Sequence, residues 1–214
     1  MLLIKKPQAL CITTDDCDST IEHYEMLLKQ GWNPADKFFL SDTLFSYPIR
    51  WCQRSGTEEE KIGRLRWLIA HGADVNAVDN YGNTALSNCC YAGYTKKVRL
   101  LLKHGADPTI LDNEGHNCLM GECTKKSLFP SLVELVCSHG VDINQTADYN
   151  DIFEEDKDWG LAEFQAHYEH FENVLWLLDR ADYKHKDLPH LTKIAKLASY
   201  SKKGTEVLIY CLEH

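Results

Sequence analysis

A fixed spacing of recurring sequence features constrains this chain more than its composition does. The tripeptide Gly72-Ala73-Asp74 returns 33 residues later as Gly105-Ala106-Asp107, and 35 residues after that as Gly140-Val141-Asp142. The segment DNYGN, which starts at Asp79, also returns after 33 residues, as DNEGH at Asp112. A fixed period of this size is typical of stacked helical repeats, in which neighbouring units bury a core that one unit cannot bury alone.

The stretch Asp79–Leu111 shows how each unit is predicted to fold. Asp79 and Gly82 favour a tight turn, because Asp bonds nearby backbone N–H groups and Gly tolerates positive φ. Thr84 predicts the N-cap of a first helix with small packing residues, and an apolar stripe predicts a second helix that ends at Gly105. The small residues are Ala85, Cys89, Cys90 and Ala92, and the stripe is Val98, Leu101 and Leu102.

The pattern D-x-x-G-x-T-x-L, followed by L-L-x-x-G-A-D, resembles the ankyrin repeat, most clearly over residues 64–145. The resemblance implies an all-α solenoid of about five to six helix-turn-helix pairs, with short β-turn fingers and degenerate terminal caps. The usual Pro and His of the first-helix opening are missing from Thr84–Ser87 and from Asn117–Met120, and Lys97 stands where an aliphatic residue is usual. We therefore expect divergent repeats.

The whole chain of 214 residues is interpreted as one domain. Its predicted parts are a degenerate N-terminal repeat or cap (1–34), three repeats (35–78, 79–111 and 112–146), a divergent repeat with an acidic segment (147–182) and a C-terminal cap (183–214). Outside the central repeat, helices are predicted over 20–31, near 43–53, from a Thr57 N-cap to Gly72, as one long helix over 159–180, from Leu188 through Ala198, and over 205–212.

Charge and cysteine usage restrict the class of partner and the compartment. The formal net charge of −9 argues against nucleic acid and anionic membrane as partners, since both attract Lys and Arg patches. Nine cysteines without a regular framework indicate reduced thiols and a cytoplasmic protein. No apolar run approaches the roughly 20 residues of a membrane span, and the N-terminus lacks the features of a signal peptide.

Two small groups of residues could carry chemistry, although a solvated helix face explains the first more simply and packing explains the second. His167 and His170 lie three residues apart on one predicted helix, which is a metal-ligand spacing. His116, Cys118 and Cys123 could form a thiol nucleophile or part of a zinc site, which would make the chain a small enzyme or metal-binding protein. Phosphate-binding loops, dinucleotide-binding loops and the common hydrolase motifs are absent from the sequence, so we expect no enzyme activity and no cofactor.

The resemblance implies a monomeric module that binds another protein through the concave face of the stack. By position within each repeat, the partner-binding residues would be Asn80, Tyr81, Asn83, Asn88, Tyr91, Asn113, Glu114 and His116. Tyr81 and Tyr91 are the expected anchors, because Tyr combines apolar area with a hydroxyl group. The acidic segment 148–158 is a second candidate, or else a solvated loop.

The chain has the size of a stand-alone adaptor, or of a competitor that masks a partner. Compact divergent proteins of this family are similar to those that intracellular bacteria and large viruses deliver into host cells, which implies an effector role in host cytoplasm. Residues 68–76, LIAHGADVN, also resemble the ankyrin-loop sequence recognised by the asparaginyl hydroxylase that acts on hypoxia factors. Asn76 would be its acceptor, and Asn144 lies in a poorer match.

Overall fold

Helices account for most of the chain that the structure describes. The computed structural model describes residues 20–29, 31–35, 38–41, 44–46, 56–121, 129–149 and 156–214. Its helices are α1 (Ile21–Lys29), α2 (Glu58–Ala70), α3 (Ala85–Tyr91), α4 (Thr95–Lys103), α5 (Phe129–Cys137), α6 (Leu161–His167), α7 (Phe171–Asp179), α8 (Leu188–Ser199) and α9 (Thr205–Glu213). Two antiparallel strand pairs join β1 (Phe38–Ser41) to β2 (Leu44–Ser46), and β3 (Ala147–Tyr149) to β4 (Asp156–Trp159). A mostly helical fold is therefore confirmed, with strands that the all-α prediction lacked.

The described residues group into two units. The first contains those up to Ala85 together with Lys103–Ala106. The second contains Leu86–Leu102 and those from Asp107 onward. The interpretation of residues 1–214 as a single domain stays a prediction, as do the boundaries of its repeats.

In the first unit, α1 is the helix predicted over residues 20–31. Its chain leaves through Gly31, whose φ of +86° suits a residue without Cβ. Tyr24 is buried on α1, with its ring centroid 5.9 Å from that of Trp32 and 5.4 Å from that of Trp67 on α2. Aromatic contacts thus join the first helix to the second.

The helix predicted near residues 43–53 is wrong at Leu44–Ser46, which form strand β2. This strand pairs antiparallel with β1, and Phe39 lies opposite Phe45. Two residues separate the strands in the sequence, and the runs on both sides are rich in Phe and Leu. Such runs favour a hairpin when the connection is this short. Residues 47–55 lie outside the described part of the chain.

Helix α2 begins with the predicted cap. Thr57 Oγ1 accepts a hydrogen bond from the backbone N–H of Glu60 at 3.2 Å, and the Glu60 carboxylate accepts one from the backbone N–H of Thr57 at 2.7 Å. This reciprocal capping box satisfies two of the N–H groups that a helix start leaves unpaired. Gly72, with φ of +88°, follows the end of the helix.

Replacing Thr57 with alanine is expected to lower the free energy of unfolding by about 1 kcal/mol, because it removes the side-chain half of the cap. Urea denaturation followed by circular dichroism measures the change. Glu59→Gln is the matched control, since it alters an exposed side chain of the same helical turn that lies outside the capping box. Equal urea midpoints for the two variants would contradict the prediction.

In the second unit, α3 and α4 are the helices predicted for the central repeat. The chain reverses between them at Gly93, whose φ is +66°, and the N–H of Tyr94 donates to the carbonyl of Cys89 at 2.9 Å. Lys97, unexpected at an apolar position, is fully buried with its ammonium 3.7 Å from the centroid of the Tyr94 ring. A cation over an aromatic face is attracted by the ring quadrupole. Ala92 is half-buried, and the other residues predicted to pack are buried: Ala85, Cys89, Cys90, Val98, Leu101 and Leu102.

The repeat that begins at Asp112 departs from the predicted helix pair. Residues 118–121 form turns and a bend where the pattern predicts a first helix. The Asn117 Oδ1 atom accepts a hydrogen bond from the Leu119 N–H at 2.9 Å. Such a side-chain bond competes with helix formation at its start. Residues 122–128 lie outside the described part, and the second helix of this repeat is α5.

The single long helix predicted over residues 159–180 is wrong, because the chain forms two helices, α6 and α7. They are separated at Glu169, which has a φ of +57°. The N–H of His170 donates to the carbonyl of Gln165 at 2.8 Å, and the N–H of Glu169 donates to that of Ala166 at 3.0 Å. The same hydrogen-bonding pattern reverses the chain at Gly93. The turn at Glu169 contains no glycine, and the apolar pattern continues across it, so the sequence does not indicate that the helix ends there.

The chain enters this helix pair through a strand pair that the pattern did not predict, and continues into two helices that it did. The ends of the acidic segment 148–158 lie in the β3–β4 pair, and residues 150–155 are outside the described part. Helices α8 and α9 confirm the two predicted C-terminal helices. They bury Ile194, Ala198 and Val207 completely.

Candidate partner-binding fingertips

Asp79 organises the backbone of Asp79–Thr84, which we call the first fingertip. Its buried carboxylate accepts hydrogen bonds at Oδ1 from the N–H groups of Tyr81 and Asn83, both at 2.9 Å. Its own N–H donates to the carbonyl of Asn83 at 3.1 Å, and Gly82 has a φ of +82°. The Asp-x-x-Gly pattern thus fixes the turn from inside and confirms the predicted roles of both residues.

The second fingertip, Asp112–Asn117, has the same scaffold within the second unit. Asp112 Oδ1 accepts from the N–H groups of Glu114 and His116, both at 2.9 Å, and the Asp112 N–H donates to the His116 carbonyl at 3.0 Å. Gly115 repeats the positive φ, at +84°. A carboxylate therefore accepts the same pair of backbone hydrogen bonds in each fingertip.

The two scaffolds present different side chains. On the first fingertip, Tyr81 is 61 % exposed, Asn80 is exposed and Asn83 is half-buried. On the second, Asn113 and Glu114 are exposed. Asn80, Tyr81, Asn113 and Glu114 are thus accessible, and Asn83 is partly so.

His116 differs from the other predicted contact residues because its side chain is only 15 % exposed. Its Nδ1 atom lies 3.3 Å from Asp112 Oδ2 and 3.5 Å from Glu114 Oε2. The edge of the ring meets the buried ring of Phe164 on α6, with 5.1 Å between centroids. This imidazole therefore connects the second fingertip to the core and offers little surface to a partner.

Asn88 and Tyr91 lie on α3 in the second unit. Asn88 is half-buried, and Tyr91 is 48 % exposed. The Tyr91 ring lies against Gly121, where an added Cβ atom would come within 3.2 Å of its Cδ2. Tyr91 is thus supported by the backbone that follows the second fingertip and still keeps half of its surface accessible.

The comparison with known families agrees with this geometry. A family model described as ankyrin repeats (3 copies) matches residues 21–112 and 57–147, which together cover more than half of the chain. The chain belongs to the ankyrin-repeat family. Ankyrin repeats are generally protein–protein interaction modules. A search of curated proteins gave no match, and no described helix is long and apolar enough to cross a bilayer.

Asn76 has a structural role between ankyrin loops that sequence reasoning missed. Its side-chain amide donates to the carbonyl of Gly105 at 3.1 Å, within the first unit. In the second unit, Asn144 donates to the carbonyl of Asp182 at 3.0 Å and accepts from the Lys184 N–H at 2.7 Å. The sequence contains a signal for this shared role, because both Asn residues follow a Gly-x-Asp-x sequence. Hydroxylation of Asn76 stays a prediction.

The two histidines suggested as a metal pair do not share a helix. His167 ends α6, whereas His170 precedes α7 and is buried with its Nδ1 3.1 Å from Gln165 Oε1. The prediction of a common helical face is therefore wrong, because the chain turns between them. Across the described residues, no three His, Cys, Asp or Glu side chains are placed to hold a metal ion.

The described cysteines are buried or half-buried. Cys118 is buried, as packing predicts, and Cys123 lies outside the described residues. Burial raises the pKa of Cys137 to about 11, and it also raises the pKa of Cys211. A nucleophilic cysteine needs a lowered pKa instead. Cys137 and Cys211 therefore do not have the pKa of a nucleophilic thiol, and the alternative of a thiol enzyme at His116, Cys118 and Cys123 stays a prediction.

Proposed function

We propose that this ankyrin-repeat protein is a non-catalytic module that binds a partner protein through its fingertips and the α3 face beside the second. Asp79 and Asp112 carry the proposal, because each carboxylate accepts a pair of backbone hydrogen bonds that fix its fingertip. A surface fixed before binding loses little conformational entropy when the partner arrives. The side chains at the variable positions of such a surface can then determine which partner protein binds.

Tyr81 and Tyr91 are the proposed anchors. Each has an exposed aromatic surface on a supported backbone, and Tyr is enriched among the residues that dominate binding energy. Asn80, Asn83, Asn88, Asn113 and Glu114 would supply polar contacts around them. His116 would act indirectly, because its ring positions the second fingertip.

The net charge of −9 favours a basic or neutral protein as partner. We infer a monomeric adaptor or masking competitor in the cytoplasm. Delivery into a host cell as an effector would be one form of that role. Its partner is then a host protein, and the same surface would bind it.

Replacing Tyr81 and Tyr91 together with alanine is expected to weaken the complex with a partner about ten- to a hundred-fold, because two aromatic anchors are lost. A partner identified by cross-linking to the intact chain is titrated against each purified variant. Circular dichroism of each variant checks that the helices remain. The single variants show which of the two anchors contributes.

Tyr200→Ala is the matched control, since Tyr200 is 77 % exposed at the end of α8 and lies on neither fingertip. Its affinity should equal that of the unaltered chain. Full affinity in the Tyr81/Tyr91 double variant would show that these two tyrosines are not the anchors of binding. Equal losses in the control and the double variant would show that any exposed tyrosine matters equally, which also contradicts the proposal.

A further inference from the structure

A hydrogen-bonded network of four polar groups joins separate elements of the second unit. Glu163 on α6 is fully buried, and its Oε1 contacts Nδ1 of His190 on α8. Nε2 of His190 lies 3.1 Å from Nδ1 of His185, and Nε2 of His185 lies 2.7 Å from the carbonyl oxygen of Asn144. This network therefore connects α8 to α6 and to the ankyrin loop at Asn144.

With Glu163 ionised, the three contacts of this network require one hydrogen more than two neutral imidazoles supply. Each contact needs one hydrogen, and a carboxylate at one end and a carbonyl oxygen at the other can only accept. Two neutral imidazoles carry two N–H groups between them. We propose that His190 is held as an imidazolium that donates to Glu163 and to His185, and that this extra proton is a pH-sensitive latch on the α8–α9 helix pair.

An ionised Glu163 needs a cation beside it, because its carboxylate is buried. Its Oε2 atom is buried without a hydrogen-bond partner, in a space so closed that a Cβ atom at Gly160 would lie 3.1 Å from it. A buried carboxylate is costly unless an opposite charge compensates it. His190 is the adjacent group that can supply that charge.

Other charged or titratable groups face the latch. Asp187 Oδ1 lies 3.8 Å from His190 Nε2 and favours the cation, whereas Lys193 on α8 opposes it. Tyr183 is buried near Glu163, and its hydroxyl accepts a hydrogen bond from the Ala162 N–H at 2.9 Å. Burial raises the pKa of Tyr183 first, and the Glu163 charge raises it further, so its phenol stays neutral.

A metal ion could in principle replace the proton between the two imidazoles. The described residues, however, place no third His, Cys, Asp or Glu where it would complete a metal site. A single proton satisfies both nitrogens without further ligands. The proton is therefore the occupant that the geometry favours.

The direction of the pH response follows from the hydrogen bond to Glu163, which raises the pKa of His190 above its ordinary value of 6.5. The folded latch then binds more protons than the unfolded chain at pH values between the ordinary and the folded pKa. Its stabilising effect is fully present below about pH 6.5 and is lost as the pH rises through the folded pKa. Above that pKa, α8 and α9 should loosen first, because the latch holds α8 directly and α9 packs on α8.

Nitrogen NMR of the ¹⁵N-histidine-labelled chain tests the protonation state directly. At about pH 6 we expect His190 to show both ring nitrogens protonated, and His185 to be the neutral tautomer with its proton on Nε2. Two neutral rings, or a cationic His185, would overturn the proposal. This measurement uses the unaltered chain, so it does not depend on whether a variant folds.

Hydrogen exchange tests the consequence for the helices. In the unaltered chain, protection of α8 and α9 amides should fall about tenfold per pH unit between the ordinary and folded pKa values of His190, since one proton is released on opening. In Glu163→Gln the His190 pKa should fall and this pH dependence should flatten. His104→Gln, an exposed histidine outside the latch, should keep the full dependence. Equal pH dependence in the unaltered chain and Glu163→Gln would refute the latch.

Discussion

Gly204→Ala is expected to lower the free energy of unfolding by about 3 kcal/mol. An added Cβ atom would lie 2.2 Å from the carbonyl oxygen of Ala198, 2.8 Å from its carbonyl carbon and 2.9 Å from its Cα. These are backbone atoms of α8, so no side-chain rotation can relieve the overlap. Gly204 has an ordinary φ of −79°, and the cost is therefore steric and not conformational. Alanine should force α9 away from α8.

Gly63→Ala is the matched control, and its effect should have the opposite sign. Gly63 lies inside α2, where an added Cβ atom meets nothing within 4 Å. Alanine should stabilise this helix by about 0.5–1 kcal/mol, because it restricts the unfolded chain and favours the helix. Urea denaturation of both variants measures the two changes. A Gly204→Ala variant as stable as the unaltered chain would show that the connection between α8 and α9 adapts without cost.

Features that depend on neighbouring residues were predictable from the sequence. The Asp-x-x-Gly turns at Asp79 and Asp112 and the capping box at Thr57 each place donor and acceptor within four residues. Their side-chain chemistry is therefore visible in a short stretch of sequence. The exposed positions on the fingertips followed from the same turns.

Features that depend on distant contacts were not predictable in this way. The left-handed backbone at Glu169 is held by bonds between successive helices, and no glycine announces it. Glu163 and His190 are 27 residues apart, and His185 and Asn144 are 41 apart. Periodicity places Glu163 and His190 on helices, but it cannot show that the two side chains meet. The low exposure of the His116 side chain could not be predicted for the same reason, since its ring contacts Phe164 from a later helix pair.

Phe164→Ala is expected to be the most destabilising of the substitutions considered, at about 3–5 kcal/mol. The Phe164 side chain is 1 % exposed on α6. Its ring meets those of Trp159 and His116 edge to face, with centroids 5.5 Å and 5.1 Å away. Removing the ring leaves a cavity, and it also removes the support on which the His116 imidazole lies. Urea denaturation should show the loss, and Phe164→Leu should lose less because it keeps most of the buried volume.

The contact with His116 gives this core residue an expected effect on the second fingertip. A double-mutant cycle of Phe164→Leu and His116→Ala measures the coupling energy between the two side chains. We expect about 0.5–1.5 kcal/mol, the value typical of edge-to-face aromatic pairs. Additive losses would mean that the fingertip is held by Asp112 alone. A measurable coupling would mean that the fingertip depends on a later helix pair as well as on its own turn. Because neighbouring repeats share a core, variation at Phe164 would then alter partner binding without touching the partner.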